Sequence, residues 1–272
     1  MSAGDHLLRG LAPIPTVAWQ AIDDEARERL TPLLAARKLA DWKGPSGWQQ
    51  SSVSLGRTTA LDGPPGISTD GVTAKQRRVL PLAEYTVPFT VSRQEIDELQ
   101  RGASDPDFDD LARAAGKVAE VENRTVFHGW AAAGITGIAQ ASPYGSGTLG
   151  DDCDAYPGVV ARAVDQLRCN GIVGPYALAI GPAGYTRIIQ TAEHGGHLLF
   201  DHLKQVVGGS ILWAPGVDGA VVVSERGGDF LLDVGQDISV GYSHHDSDAV
   251  QLYFEESFTF RVLEPDAALA LN

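Results

Sequence analysis

Residues 51–78 constrain the fold more than any other part of the chain. Two weakly β-like arms, Ser52 to Thr59 and Gly71 to Val79, flank the turn Leu61-Asp62-Gly63-Pro64-Pro65-Gly66. Gly, Pro and Asp clustered in this way mark a reversal of chain direction. Neither arm has the apolar density to own a core, and an isolated two-stranded hairpin is at best marginally stable in water. Such an arm projects from the body, and bare strand edges need a partner to cover them. The pattern therefore predicts assembly.

The flanking segments supply the body. From Thr16 to Ala40, Val17, Ile22, Ala26, Leu30, Leu33, Leu34 and Leu39 recur at helical steps, with Asp23, Asp24, Glu25, Arg27 and Glu28 on the other face. Thr16 is the expected N-cap, and Pro32 is expected to break the helix, with Thr31 capping a second short one. Leu80 to Val91 alternates as a strand and runs into a helix at Ser92–Arg101, where Ser92 and Glu95 form a capping box. Asp105-Pro106-Asp107 starts a long helix that runs to about Ala133, its buried stripe being Leu111, Ala115, Val118, Val121 or Glu122, and Thr125. Residues 134–223 read as α/β: a helix opened by Pro157 and closed at Asn170-Gly171, a strand from Tyr176 to Ile180, a helix opened by Gly181-Pro182, and a β-branched run from Ala220 to Ser224. The remainder is β-rich, over Phe230–Val234, Ile238–Tyr242 and Val250–Val262.

Composition excludes several classes. With 21 basic against 35 acidic residues among 272, the formal charge is −14, the wrong sign for coating nucleic acid. No window approaches the roughly 20 apolar residues of a membrane span, and no apolar run near Met1 resembles a signal segment. Two cysteines, Cys153 and Cys169, indicate neither a zinc knuckle nor a disulfide framework, so a reducing cytoplasm is the expected location.

Motifs that could carry chemistry have plainer explanations. Gly145-Ser146-Gly147-Thr148-Leu149-Gly150 spells G-x-G-x-x-G, yet no strand precedes it, and Asp151, Asp152 and Asp154 follow where a pyrophosphate would sit. His194, His197 and His202, with Glu193 and Asp201, are expected to form a solvated loop and not a metal site. His244-His245 is expected in a turn between strands. Asp109-Asp110 suits a helix first turn, and Arg226 is expected to brace Asp229 within the turn 224–229. No nucleophile–base constellation, Walker lysine or H-E-x-x-H occurs, so no enzyme activity is expected.

Taken in order, the segments resemble encapsulin shell proteins of the linocin-like bacteriocin family (family 1). The resemblance rests on Leu11-Ala12-Pro13, Trp19, Ile22-Asp23-x-x-Ala26-Arg27, Arg37-Lys38, Gly44-Pro45-x-Gly47-Trp48, Leu80-Pro81-Leu82, Phe89, Glu95-x-Asp97 and Arg101-Gly102. It continues through Glu120-x-Glu122, Phe127-x-Gly129, Gly134-Ile135-x-Gly137, Gly174-Pro175-Tyr176, Val223 to Phe230, Gly235-Gln236-Asp237-Ile238-x-Val240-Gly241-Tyr242 and Phe258-Thr259-Phe260. It implies an α+β fold of the Hong Kong 97 phage major-capsid type. Residues 1–51, 78–133 and 224–272 would form the peripheral domain, 52–77 the extended loop and 134–223 the axial domain.

The resemblance further implies an icosahedral, self-assembling nanocompartment of about 60 subunits at the small end. It would enclose a cargo enzyme, a dye-decolourising peroxidase or a ferritin-like protein, recruited by a short C-terminal targeting peptide. Matching motifs put peptide binding on Leu30, Leu34, Arg37, Asp41, Ile238 and Tyr242, an apolar groove with a charged pair to set direction. Pore lining falls to Glu193, His194, Gly195, Gly196, His197 and His202; rings of histidine would turn cationic, and widen the opening, as pH falls towards about 5. No cofactor is implied: Gln94 stands where some members carry an aromatic residue, so no flavin is expected there. The competing reading is a prophage-type major capsid protein packaging DNA, which the acidic balance disfavours.

Overall fold

Local signals decide most elements. The computed structural model describes residues 6–63, 71–145, 147–150, 152–191 and 198–272. In chain order these give α1 (Thr16–Leu33), β1 (Asp41–Lys43), β2 (Ser52–Leu61), β3 (Ala74–Pro81), β4 (Ala83–Ser92), α2 (Arg93–Arg101), α3 (Asp109–His128) and the short α4 (Ile138–Ala141). There follow α5 (Tyr156–Cys169), β5 (Tyr176–Ile180), α6 (Pro182–Gln190), α7 (Leu199–Val207), β6 (Gly208–Trp213), β7 (Ala220–Ser224), β8 (Phe230–Val234), β9 (Ser239–His245), β10 (Ala249–Val262) and β11 (Ala268–Leu271).

Three sheets result. One runs β1-β8-β10-β4 with β9 also on β10, a second runs β11-β7-β5-β6, and the third is the pair β2-β3 alone. That pair is the projecting hairpin, and its strands are largely exposed on both faces. Its expected tip, Pro64-Pro65-Gly66, lies outside the described residues.

Two apolar cores sit on the larger sheets. Ala18, Ile22, Ala26 and Leu30 of α1 and Leu111, Ala115 and Val118 of α3 pack on Phe89, Val240, Leu252 and Phe254. The second core joins β5 and β7 to α5 and α7, and reaches Val126 and Phe127 of α3 and Phe258 and Phe260 of β10. Along one face of β10, Val250, Leu252 and Phe254 thus belong to the first core and Phe258 and Phe260 to the second, with the buried Glu256 between them.

Several expectations need correction. Pro15, not Thr16, precedes α1, and Pro32 lies inside its last turn, while the Thr31 hydroxyl donates back to Arg27 O at 2.6 Å and caps nothing. Proline here costs only one helical hydrogen bond close to where the helix ends anyway. α3 stops at His128, short of Ala133: Gly129 has φ 81°, and a Cβ there would meet Gly137 N at 2.8 Å. His244 and His245 close β9, and the turn is made instead by Asp246, whose carboxylate accepts from the N–H groups of Asp248 and Ala249 at 2.8 Å. The C-terminal β11, the apolar tetrapeptide Ala268–Leu271, pairs antiparallel with β7 and completes the second sheet.

Candidate functional site

One groove gathers most of the residues singled out for peptide binding. Helix α1 brings Ala26 and Leu30 to it on its apolar stripe, and Leu34, the residue that follows the helix, continues that lining. Ile238, Ser239 and Val240 form the opposite wall and Phe254 part of the floor, enclosing a cavity of about 400 Å³. Arg37 and Asp237 close one end. Of the six expected residues, Leu30, Leu34, Arg37 and Ile238 line it.

Asp41 and Tyr242 are placed elsewhere. Asp41 is in β1, an edge strand parallel to β8, and its carboxylate accepts from Gly228 N at 2.6 Å, fastening the 224–229 turn. Tyr242 is buried in the first core, with its hydroxyl 2.6 Å from His245 Nδ1. The structure therefore does not bring Asp41 to Arg37 as a direction-setting pair.

The charged partners of Arg37 lie deeper. Its Nε donates to Glu122 Oε2 at 2.7 Å, Nη1 to Asp237 Oδ1 at 2.8 Å and Nη2 to Glu256 Oε1 at 2.7 Å. Tyr85, opposite Glu256 across the β4–β10 ladder, donates its hydroxyl to Glu256 Oε2 at 2.6 Å. Beside this cluster Asn123 accepts from Ala36 N at 2.9 Å and donates to Leu33 O at 2.8 Å and Pro215 O at 3.0 Å. These groups fill the seam where the two cores meet.

Burial dominates their titration. Glu122 and Glu256, at 0% and 1% exposure, are both pushed above the usual carboxylate range by desolvation, Arg37 opposing the rise in each. For Glu256 the neighbouring Glu122 pushes further in the same direction, and its pKa ends well above the ordinary value. Two buried carboxyls face one guanidinium. Glu122 Oε1 is buried with no hydrogen-bond partner among the described residues. Desolvation would lower the pKa of Arg37, but Glu122, Glu256 and Asp237 together raise it, and it stays charged.

A strap that the sequence analysis missed completes the groove. Leu7 and Arg9 line it, together with Asp23 of α1. Arg9 pairs bidentately with Asp23, at 3.1 and 2.7 Å, and lies 4.0 Å from the Trp19 ring centre. Leu7 O accepts from Tyr242 N at 2.8 Å, and His6 stacks on Trp48 while its Nε2 lies 3.0 Å from Glu255 Oε1. No periodicity marks residues 6–9; the Arg9–Asp23 pairing emerges only when the strap folds back on α1.

Of the expected pore residues, Glu193, His194, Gly195, Gly196 and His197 lie outside the described residues. His202 is exposed on α7. Gly147 and Leu149 of the G-x-G-x-x-G run bond to Ala270 O and Asn272 O, binding the C-terminal strand and opening no helix. Arg226 does brace Asp229, with contacts of 2.7 and 2.9 Å. Among the described residues no cluster of His, Cys, Asp and Glu could hold a metal, and no helix is long and apolar enough to cross a membrane.

A helix-backed sheet, a second α/β sheet and a largely exposed hairpin that leaves the first sheet after β1 and returns to it at β4 make up the subunit. The chain matches the family described as encapsulating protein for peroxidase over residues 4–259, and it belongs to that family. It is 49% identical over 270 residues, 98% of this chain and 96% of the relative, to a type 1 encapsulin shell protein of Rhodospirillum rubrum. A type 1 encapsulin shell protein of Mycobacterium tuberculosis is 40% identical over 268 residues, 98% of this chain and 99% of that one. Among solved structures, a virus-like particle from Pyrococcus furiosus superposes with a TM-score of 0.64 at 16% identity, covering 93% of this chain and 99% of its own. A chain of Microbacterium phage Oxtober96 gives 0.55 at 13% identity, over 88% and 91%. The fold is the Hong Kong 97 capsid type, α+β as expected, and the family is one of encapsulin shell proteins.

Proposed function

We propose that this shell protein closes into an icosahedral compartment of about 60 subunits in the cytoplasm. It encloses a cargo enzyme, a dye-decolourising peroxidase or a ferritin-like protein, whose C-terminal peptide docks in the groove between α1 and β9. The observation that carries the reading is the groove itself, where Leu30, Leu34, Ile238, Val240 and Phe254 line a cavity beside Arg9, Arg37 and Asp237, in a chain whose family is described as encapsulating a peroxidase. Apolar side chains in a desolvated pocket supply most of the affinity in such contacts. The shell itself performs no catalysis. Residues 193–197 and His202 are proposed to line its axial opening.

Assembly is tested by size-exclusion chromatography with light scattering, where a stable monomer or dimer would sink the closed shell. Docking is tested by Ile238→Asp, which places a charge in the groove wall. Shells of this variant are expected to assemble and to lose their cargo; cargo co-purifying undiminished would refute the groove. Electron microscopy at about pH 7.5 and about pH 5.5 tests the opening, expected to widen at the lower value as its histidines charge; an unchanged aperture removes them from it.

A further inference from the structure

Loop 214–219 connects β6 to β7 and lies against the C-terminal half of α3. Asn123 Nδ2 donates to Pro215 O at 3.0 Å, Arg124 pairs with Asp218 at 3.1 Å, and His128 Nε2 accepts from Asp218 N at 2.9 Å. The fit is close. Gly216 has φ 84°, and a Cβ there would meet Glu120 O at 2.7 Å. On its other side the loop holds the second sheet, with Ala214 N donating to Ile180 O at 2.9 Å and Gly181 N to Gly219 O at 3.0 Å. It thus couples the long helix to the end of β5 and the start of α6.

The three ties to α3 respond differently to acid. The Asn123–Pro215 bond is buried and has nothing to titrate. Arg124 and Asp218 are 58% and 71% exposed, and a pair so open to solvent contributes little. His128 is half-buried, and its tie exists in one protonation state only. A backbone N–H can only donate, so Nε2 must present its lone pair and the ring is neutral, with its proton on Nδ1. A proton added at Nε2 sets two donors against each other.

Among the described residues, the charged groups facing His128 are Asp218 on the loop and Arg124 on α3. The connection 129–137 and α4, which follow it, carry no charged side chain. Burial lowers the pKa of His128 and Arg124 adds to that, against the opposite pull of Asp218. The carbonyl end of α3 also favours a charged ring, but burial prevails. The sign follows from the lowered value: the tie is fully present above the ordinary histidine range and is lost as pH falls through the folded pKa.

We infer that loop 214–219 is an acid-released latch: when His128 takes up a proton, Asp218 lifts from α3 while Pro215 stays bound to Asn123. Release loosens the Gly219 carbonyl that supports Gly181, so the second sheet relaxes where α6 leaves β5 without unfolding. The step involves neither the groove nor residues 193–197.

Hydrogen exchange of assembled shells, read by mass spectrometry at about pH 7.5 and about pH 5 with labelling times scaled to intrinsic rates, tests the latch. Protection of the Asp218 N–H is expected to fall about tenfold at the lower pH, as for one hydrogen bond lost with its donor left unpaired. Peptides from β5 and β7 are expected to keep theirs. His128→Gln retains an acceptor of similar reach that takes up no proton, and its loop should be equally protected at both values. Asp218→Asn keeps the N–H and removes the titrating carboxylate, and it should still open in acid. Acid loss that persists in His128→Gln, or disappears in Asp218→Asn, would assign the change to another group and overturn the inference. So would an unaltered shell equally protected at both values, or β5 and β7 losing protection together with the loop. The unaltered shell and Asp218→Asn decide the matter even if His128→Gln does not assemble.

Discussion

Strands β7 and β10 are both buried, yet they are buried by different means. β7 is Ala-Val-Val-Val-Ser, sealed on both faces between β5 and β11 with nothing ionisable along it. β10 carries an apolar row from Val250 to Phe260 that Glu256 interrupts at the seam between the two cores. The first strand is held by apolar burial and by ladder hydrogen bonds to strands on both sides, with no charge involved. The second depends on a cation arriving from another part of the chain: Arg37 must reach Glu256 across 219 residues of sequence. The seam is therefore the more fragile of the two. Asp237, one of the acids meeting there, also lines the groove.

The sharpest way to break this contrast is Arg37→Ala. It leaves Glu122 and Glu256 buried without their cation, a change that typically costs about 3–5 kcal/mol. Denaturant unfolding is expected to show that loss, and a penalty below that of an exposed ion pair would mean the cluster is not electrostatically closed. Leu178→Ala in β5, the neighbour of β7, sharpens the other side. Leu178 is 1% exposed in the second core, and truncation there costs about 2–5 kcal/mol through transfer and cavity terms. That loss is expected to be the same at every pH, since no titratable group is touched. A pH-dependent penalty would show that the apolar sheet is not independent of the seam.

What could be read in the sequence follows the same division. The N-cap half of the box expected at Ser92 forms, its hydroxyl accepting from Glu95 N at 3.1 Å three positions on. The Glu95 carboxylate accepts instead from Asp107 N at 3.0 Å and does not close the box. Arg226–Asp229, likewise three positions apart, was legible too, and the β-branched run of β7 and the alternation of β10 declared themselves by period. The helical pattern left Val121 or Glu122 open on α3; the structure buries Glu122 because Arg37, 85 residues away, meets it there. Asp41 matched a motif, but its neighbour turned out to be Gly228, a contact made only once β1 lies beside β8. Motif order and periodicity thus locate the helix and strand that make the groove. They do not say which charges are already engaged beneath it, because those pairings are long-range and leave no local pattern.

The smallest expected effect separates a buried charge from a buried hydrogen bond. Glu256 is held above its ordinary pKa chiefly by desolvation and then by Glu122, so the folded chain binds a proton that the unfolded chain releases. The sign follows: this contribution is fully present below the unfolded carboxyl value of about 4.3 and is lost as pH rises through the raised folded value. Glu256→Gln replaces the protonated acid by a neutral group of the same shape. Its oxygen can still accept from Arg37, and its amide can donate to Glu122 or to the Tyr85 hydroxyl, which accepts as well as donates. At mildly acidic pH the variant should therefore melt within about 1 kcal/mol of the unaltered shell, a net difference of one hydrogen bond at most. As the pH is raised the unaltered shell should lose stability more steeply than the variant, because only the former has a proton to give up at this position. Thermal melting of assembled shells from mildly acidic to mildly alkaline pH reads the two slopes. Parallel slopes would mean that Glu256 is ionised throughout and that Arg37 alone balances both buried carboxylates.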